Sequence, residues 1–256
     1  MRFDLCIRMK LPTNTSDLSI GREFSEAELG NKRRTRRLQR IAERLEAQPG
    51  KSLPQVLGSV SEREATYRFL NNENISFQGI LTAHFEATAE RARAHKELLC
   101  VHDVTQLEFG TPAPRKGLGR LRGTKSSQGF LAHTSLLVGL GECREPLGLL
   151  AAQPWTRTEQ VRQMRRQVGR TEMDCWFDEA KLCEQRCQSS LIHVMDRQGD
   201  SYEIYHQLQA ERMRFVVRAC HDRSLPDGAS FFDRLNQAPL VATSRRAGKA
   251  RHEKHP

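Results

Sequence analysis

Two short apolar runs that each end in an aspartate constrain the fold of this chain more than any other feature. Residues 98–103 read Leu-Leu-Cys-Val-His-Asp, and residues 191–196 read Leu-Ile-His-Val-Met-Asp. Aspartate is depleted inside strands, so an Asp that closes an apolar run needs a reason. Taken singly, each is more simply a strand-end or turn residue. As a pair on neighbouring strands, Asp103 and Asp196 are candidate ligands for a divalent cation such as Mg²⁺, which supports the cleavage and rejoining of nucleic-acid backbones.

The composition favours a polyanionic partner. The chain has 256 residues, with 41 Lys and Arg against 31 Asp and Glu, and a formal net charge of +10. A basic surface of this size points first to nucleic acid and second to an acidic membrane surface. No run approaches the roughly 18 apolar residues of a membrane span. Residues 1–12 also lack the apolar core of a signal peptide. We therefore expect a cytoplasmic protein with no membrane segment.

The cysteines do not indicate a disulfide framework. There are seven, an odd number, and no Cys-x-x-Cys occurs. Cys175, Cys183 and Cys187 can share part of a helical face, which leaves metal binding open. The simpler interpretation is a set of half-buried free thiols, because no matching His/Cys pair lies at zinc-site spacing.

The first part of the chain has a helical pattern. Residues 1–20 read as a loosely ordered tail, and residues 21–95 read as a small all-helical domain. Asn31 is a suitable N-cap for a helix over 32–48 that is ended by Pro49. Further helix starts are predicted by two capping-box pairs and one cap residue: Ser25 with Glu28, Ser61 with Glu64, and Ser76.

The pattern then changes to strands. Strands are predicted over 98–109, 130–140, 146–155, 191–195 and 214–219, with a loop over 110–129 and helices over 158–190 and 202–211. Three strands followed by helix, strand, helix and strand predict a mixed sheet with helices on its faces. With one Asp on the first strand and the other after the fourth, this is the arrangement of a ribonuclease-H-like fold. The fold class is thus α+β or α/β, with a helical N-terminal domain and a ribonuclease-H-like mixed sheet over 96–238.

Several segments, in order and spacing, resemble one family. They are residues 28–38 (Glu-Leu-Gly-Asn-Lys-Arg-Arg-Thr-Arg-Arg-Leu), 50–54, 64–72, 103–105, 129–138, 195–203 and 214–218. Together they make the chain similar to cut-and-paste DDE transposases of the Tn-five type (the IS-four family), over roughly residues 22–238. No single motif is decisive on its own.

The resemblance implies a catalytic metal site in the sheet and a DNA-binding surface that lies mainly in the helical region. Asp103 and Asp196 match the first two catalytic, metal-binding carboxylates, with Mg²⁺ or Mn²⁺ as the cofactor. The residues that match contacts to double-stranded transposon-end DNA are Arg33, Arg34, Arg37, Lys51, Tyr67, Arg68 and Arg218. The location implied is the bacterial cytoplasm, in association with the nucleoid.

The third catalytic carboxylate of the family is a Glu on a helix far downstream, beyond a β-rich insertion. Residues 247–251 resemble the start of that insertion, over 239–256, and the sequence then stops at Pro256. The family resemblance thus implies that the sheet domain is incomplete at its C-terminus. Glu203 lies about two helical turns beyond Asp196 and is expected to point away from the site. We therefore expect a monomeric transposase fragment that binds end DNA, holds its metal weakly and is inactive alone. The alternatives are a regulator that occupies transposon ends without catalysis, and a misfolded relic.

Overall fold

The computed structural model describes residues 19–110, 115–121, 127–156 and 173–239. Nearly all of the predicted N-terminal tail, the first half of the predicted 158–190 helix and the start of the predicted insertion lie outside these residues. Contacts divide the chain into one unit up to Arg218 and a second from Ala219 onward.

The described part of the first unit opens with helices, as the sequence predicted for this region; the short helix over Leu53–Val56 was not predicted. The helices are α1 (Ile20–Glu23), α2 (Lys32–Ala47), α3 (Leu53–Val56), α4 (Val60–Leu70) and α5 (Phe77–Ala92). Asn31 is the N-cap of α2, and its Oδ1 accepts from the backbone N of Arg33 at 2.8 Å. Ser76 likewise caps α5, where its hydroxyl accepts from the backbone N of Gly79 at 2.9 Å.

Two predicted helix starts were wrong. The N-cap of α4 is Ser59, whose hydroxyl accepts from the backbone N of Glu62 at 3.2 Å. Ser61 lies inside the first turn instead, because two overlapping Ser-x-x-Glu pairs occur here and the earlier one caps the helix. Ser25 starts no helix, because α1 ends before it and the next helix begins only after the N-cap Asn31. Gly30, directly before this cap, has a φ of 71°.

A mixed sheet follows the helices, which confirms the fold class. Its strands are β1 (Glu97–Phe109), β2 (Gly119–Arg120), β3 (Gln128–Gly139), β4 (Pro146–Trp155), β5 (Ser190–Met195) and β6 (Arg214–Val217). β3 pairs antiparallel with β1, β2 and β4, whereas β5 pairs parallel with β1 and with β6. The short β2 lies in a segment predicted to be loop, and β6 ends two residues earlier than predicted. The helices α6 (Asp174–Arg186) and α7 (Tyr202–Ala210) flank β5 in the chain, and a single 3-10 turn, Arg197–Gly199, follows β5.

One face of the sheet is buried and the other is half-exposed. Along β1, Leu98, Cys100 and His102 are buried, while the alternate residues are only partly buried or exposed. The buried face packs on α6 and on the end of α5 in one cluster, and on α6 and α7 in another. Helix α5 also contributes Ala83 to the separate core of the helical region. It therefore joins the helical core to the sheet core.

Side chains of α5 cover the outer edge of β4. Arg91 Nε donates to the carbonyl of Leu147 at 2.6 Å, and the backbone N of Leu149 donates to His84 Nε2 at 3.0 Å. Gly148 lies between them at a φ of 134°, and a Cβ there would come within 2.7 Å of the Arg91 guanidinium. An uncovered edge strand can pair with another chain, and these side chains cover that edge of the sheet. The close approach of Arg91 requires a glycine at position 148.

Glu23 links α1 to the same contact. Its Oε1 lies 2.6 Å from Arg91 Nη2 and 3.0 Å from His84 Nδ1. Burial raises the pKa of Glu23, but hydrogen bonds from His84 and Arg91 outweigh it and hold that pKa below its usual value. The first helix is thereby anchored to the edge of the sheet.

In the second unit, α8 (Phe231–Gln237) begins at the N-cap Ser230. The Asp222 carboxylate accepts from the Ser230 hydroxyl at 2.9 Å and from the backbone N of Phe232 at 3.1 Å. Hydrogen bonds from the Phe232 backbone and the Ser230 hydroxyl lower the pKa of Asp222.

Arg91→Met should destabilise the first unit by about 1–3 kcal/mol, because it removes the donor to the Leu147 carbonyl and leaves the Glu23 carboxylate with His84 alone. The matched control is Arg93→Met, two residues along the chain, whose guanidinium forms its ion pair among the described residues with the exposed Glu90. It should cost at most about 0.5 kcal/mol. Urea unfolding followed by circular dichroism measures both. Equal midpoints for the two variants would contradict the proposed edge contact.

Candidate nucleic-acid interface and carboxylate pair

Helix α2 presents a stripe of arginines to solvent. Leu38, Ile41 and Ala42 bury its opposite face in the helical core. Arg33, Arg37 and Arg40 follow the spacing i, i+4 and i+7, which lines up side chains on one helical face. Within the described residues, none of these three guanidinium groups has a partner. This stripe is free to bind phosphate.

The other predicted DNA-binding residues of the helical region differ in their surroundings. Arg34 is half-buried and donates from Nη1 to the carbonyl of Leu29 at 3.0 Å, so it also supports the loop before α2. Lys51 is exposed and its Nζ donates to Gln48 Oε1 at 3.0 Å. Tyr67 and Arg68 are exposed on α4. All four are therefore at least partly accessible, although Arg34 and Lys51 already have hydrogen bonds.

The register of the sheet brings Asp103 and Asp196 to neighbouring positions. In the parallel pair of β1 and β5, Val101 lies beside Val194 and His102 beside Met195. Asp103 and Asp196 come next in this register. Since side chains alternate and His102 and Met195 are buried, both aspartates are on the opposite, more exposed face. Adjacent strands lie about 4.8 Å apart, so the pair has the placement expected of two ligands of one cation.

Arg218 takes the next place in the same row. Met195 lies beside Val217 in the parallel pair of β5 and β6. The backbone N of Arg218 donates to the carbonyl of Met195 at 3.1 Å, which continues the ladder by one residue. Asp103, Asp196 and Arg218 thus form a row across three parallel strands, and Arg218 is exposed. Asp103 lies midway along β1, whereas Asp196 and Arg218 directly follow the carboxyl ends of β5 and β6. Such ends are where open α/β sheets bind ligands.

The carboxylates retain oxygen atoms for a metal. Asp196 Oδ1 accepts from the backbone N of Gln198 at 2.8 Å and caps the 3-10 turn. Asp103 Oδ2 accepts from Thr105 Oγ1 at 3.4 Å. Two carboxylates with free oxygen atoms suit a hard cation such as Mg²⁺, which usually takes one or two carboxylates plus water and phosphate. Among the described residues, no further acidic, His or Cys side chain completes a three-ligand group with this pair.

A buried polar network lies on the other face of the same strands, and sequence reasoning missed it. His102 Nε2 is 2.8 Å from His193 Nδ1, and His102 Nδ1 is 2.9 Å from Ser135 Oγ. Ser135 Oγ is also 2.9 Å from Glu179 Oε1, and His193 Nε2 is 3.1 Å from Glu184 Oε1. The available signal was a histidine inside each of the two apolar runs, since a buried imidazole needs partners.

Burial shifts the ionisation of this network. It raises the pKa of Glu179 to about 7, although the Ser135 hydroxyl and Arg186 act against it. It lowers the pKa of His133 to about 4, and the His133 ring centroid lies 4.6 Å from that of Trp176 with the two rings tilted. Burial, with the neighbouring His193 and His133, also holds the pKa of His102 well below its usual value. Burial therefore favours the neutral form of both His102 and His133.

Comparison with known proteins supports a transposase-related, DNA-binding role. Residues 19–75 match the transposase DNA-binding family, and this range contains α2 with its arginine stripe. The piggyBac transposase, in a synaptic complex with hairpin DNA, is a similar solved structure. The identity is 12%, the match covers 68% of this chain and 34% of that chain, and the TM-score is 0.34, which does not establish a shared fold. In the described parts of the chain, no helix has the length and apolar character needed to cross a membrane.

Glu179→Gln should remove a pH dependence of stability. Because burial raises the pKa of Glu179 from 4.5 to about 7, the folded chain keeps this proton where the unfolded chain loses it. The stabilisation is complete below the unfolded pKa and is lost as the pH rises through about 7. The free energy of unfolding of wild type minus that of the variant should therefore fall by about 2–3 kcal/mol between about pH 4.5 and about pH 7.5.

Denaturant unfolding at a series of pH values measures this difference. His133 contributes with the opposite sign, because its lowered pKa weakens the folded state as the pH falls. Subtracting the variant removes the part of this contribution that does not depend on the 3.3 Å contact between His133 Nδ1 and Glu179 Oε2. A difference that stays flat across the range would show that Glu179 is ionised in the folded chain.

Proposed function

We propose that this chain binds transposon-end DNA through its helical region and belongs functionally with DDE cut-and-paste transposases of the Tn-five type. The main support is the arginine stripe of α2, which has no partner among the described residues and lies inside the range that matches the transposase DNA-binding family. The proposed contact surface for double-stranded DNA consists of Arg33, Arg34, Arg37, Lys51, Tyr67 and Arg68. Phosphate contacts by such residues give affinity and register, and contacts to base edges give sequence choice.

The row of Asp103, Asp196 and Arg218 is the proposed catalytic face. The two carboxylates would hold Mg²⁺ or Mn²⁺, and a bound ion supplies Lewis-acid stabilisation of a phosphodiester under attack. Arg218, which is next in the row and exposed, would bind the phosphate group itself. In-line displacement generally uses two metal ions about 3.5–4 Å apart, and the pair alone holds the second ion poorly.

A second function is favoured by the ligand count. With no third ligand beside the pair in the described residues, the chain would occupy transposon ends without cutting them. It would then act as a monomeric regulator that blocks an active transposase. Both proposals require end binding and differ only in strand cleavage.

Arg33→Ala combined with Arg37→Ala should weaken binding to terminal inverted-repeat DNA by about 10- to 100-fold, since an exposed charge-assisted contact is worth about 1–1.5 kcal/mol. The slope of log K against log salt should become shallower by about 2, because each lost phosphate contact removes about 0.9. Fluorescence anisotropy across a salt series measures both quantities.

The matched control is Arg44→Ala combined with Arg93→Ala. It removes the same charge, but these guanidinium groups are already paired with Glu62 and Glu90. Its isotherm should lie close to that of wild type. If the two double variants lose affinity equally, net charge rather than the α2 stripe determines binding.

The chain should not nick cognate end DNA with either Mg²⁺ or Mn²⁺, because the charge that develops on the leaving oxygen lacks a firmly held second Lewis acid. Gel analysis of labelled end DNA with the purified chain tests this, and size-exclusion chromatography with light scattering tests the monomer. Nicking that disappears in Asp103→Ala would favour the active transposase over the regulator. Glu203→Gln would then identify whether Glu203 replaces the third carboxylate.

A further inference from the structure

Three metal-ligating side chains meet in the core, on the face of the sheet opposite Asp103 and Asp196. Cys100 and His102 are two residues apart on β1, so both point to the buried face. His193 lies beside Cys100 in the parallel register of β5. One ligand atom from each of the three lies within 4.8 Å of the other two, and all three residues are buried. Two positions on one strand and one on its neighbour form a triangle of donors.

The hydrogen bonds around the two imidazoles orient bare nitrogens toward each other. A carboxylate can only accept, so His193 Nε2, at 3.1 Å from Glu184 Oε1, carries the proton and Nδ1 of the neutral ring is bare. When Glu179 is ionised, as it is above its pKa of about 7, Ser135 donates its hydroxyl proton to Glu179 and therefore accepts from His102 Nδ1. His102 Nε2 is then bare as well. Yet His102 Nε2 and His193 Nδ1 are only 2.8 Å apart.

Two lone pairs at that distance repel unless a positive charge lies between them. The outer nitrogen of each ring is held by an acceptor, which is the arrangement that fixes the tautomer of metal-binding histidines. The Cys100 thiol adds a soft donor on the same side. A second buried thiol, Cys183, belongs to the same core cluster as Cys100.

We propose that Cys100, His102 and His193 bind a borderline-soft divalent cation of the Zn²⁺ class, which ties β1 to β5 from inside the core. Nitrogen and sulfur donors in a closed, buried setting are typical of structural zinc sites. Tetrahedral geometry with Zn–N of about 2.0–2.1 Å separates two ligand nitrogens by about 3.3 Å, so the imidazoles need to move apart by only about half an ångström. On binding, the Cys100 thiol releases its proton to solvent and becomes a thiolate.

This site is independent of the proposed Mg²⁺ site. The donors are nitrogen and sulfur instead of oxygen, and they are on the opposite face of the sheet. The competing arrangement has a proton on Glu179. Glu179 then donates to Ser135, Ser135 donates to His102 Nδ1, and His102 Nε2 donates to His193 Nδ1, which removes the repulsion between the two ring nitrogens. It gives no role to the Cys100 thiol, whereas the metal uses it as a ligand.

Cobalt(II) titration of the full chain, after treatment with a chelator, tests the proposal. Binding at Cys100 should give a thiolate-to-cobalt charge-transfer band in the near ultraviolet that saturates at one molar equivalent and is lost when Zn²⁺ is added. The band should vanish in Cys100→Ser. It should persist in the matched control Cys143→Ser, which removes an exposed thiol. It should also persist in Asp103→Asn combined with Asp196→Asn, so the result is separate from that of the catalytic proposal.

Absence of the band in wild type, or its survival in Cys100→Ser, would overturn the proposal and leave the protonated Glu179 arrangement. If Cys100→Ser does not fold by circular dichroism, cadmium NMR of the wild-type chain decides. A resonance in the range of mixed sulfur and nitrogen ligands supports the site, and one in the range of oxygen ligands rejects it.

Discussion

The parallel pairing of β1 with β5 is the constraint on which both proposed sites depend. Its register runs from Glu97 beside Ser190 to His102 beside Met195. Because side chains alternate across a sheet, the same register places Asp103 on the exposed face and His102 in the core. A slip of one residue would turn a carboxylate inward and an imidazole outward. Burying an unpaired carboxylate costs several kcal/mol or more, so the alternation of these runs specifies the register strongly.

Helix α6 supports this register with one of its faces. Trp176, Glu179 and Cys183 recur at intervals of three and four residues, and all three are buried. Trp176 packs in the cluster that contains Met195, while Glu179 accepts the hydrogen bond from Ser135 on β3. A single helical face therefore supplies both apolar contacts and the polar partner of the buried network. The carboxylate pair consequently stands on a packed layer, which is the support that a precise ligand geometry requires.

Most of the fold was predictable because its signals are local. The cap at Asn31 and the alternating apolar runs act over a few residues, and the structure confirmed them. The errors arose where local signals were ambiguous or missing. Ser59 and Ser61 both precede a Glu by three residues, and only the contacts of the folded chain select Ser59. The two-residue strand β2 has no pattern of its own, and it exists only because β3 extends far enough to pair with it.

The two metal-binding proposals differ in how far the sequence reveals them. Asp103 and Asp196 each interrupt an apolar run with a charge, and such an interruption is visible without a structure. The proposed zinc ligands Cys100, His102 and His193 come from β1 and β5, and their hydrogen-bond partners Ser135 and Glu179 come from β3 and α6. No fixed spacing along the chain therefore predicts this site. The histidines nonetheless occupy core-facing positions in the same two runs. The residues that make each run unusual are thus polar groups on both faces of one strand pair: hard oxygen donors where water and phosphate have access, and nitrogen and sulfur donors where they have none. That division is the one expected if an ion on the inner face were structural and the outer face were kept open for an exchangeable ion and a nucleic-acid backbone.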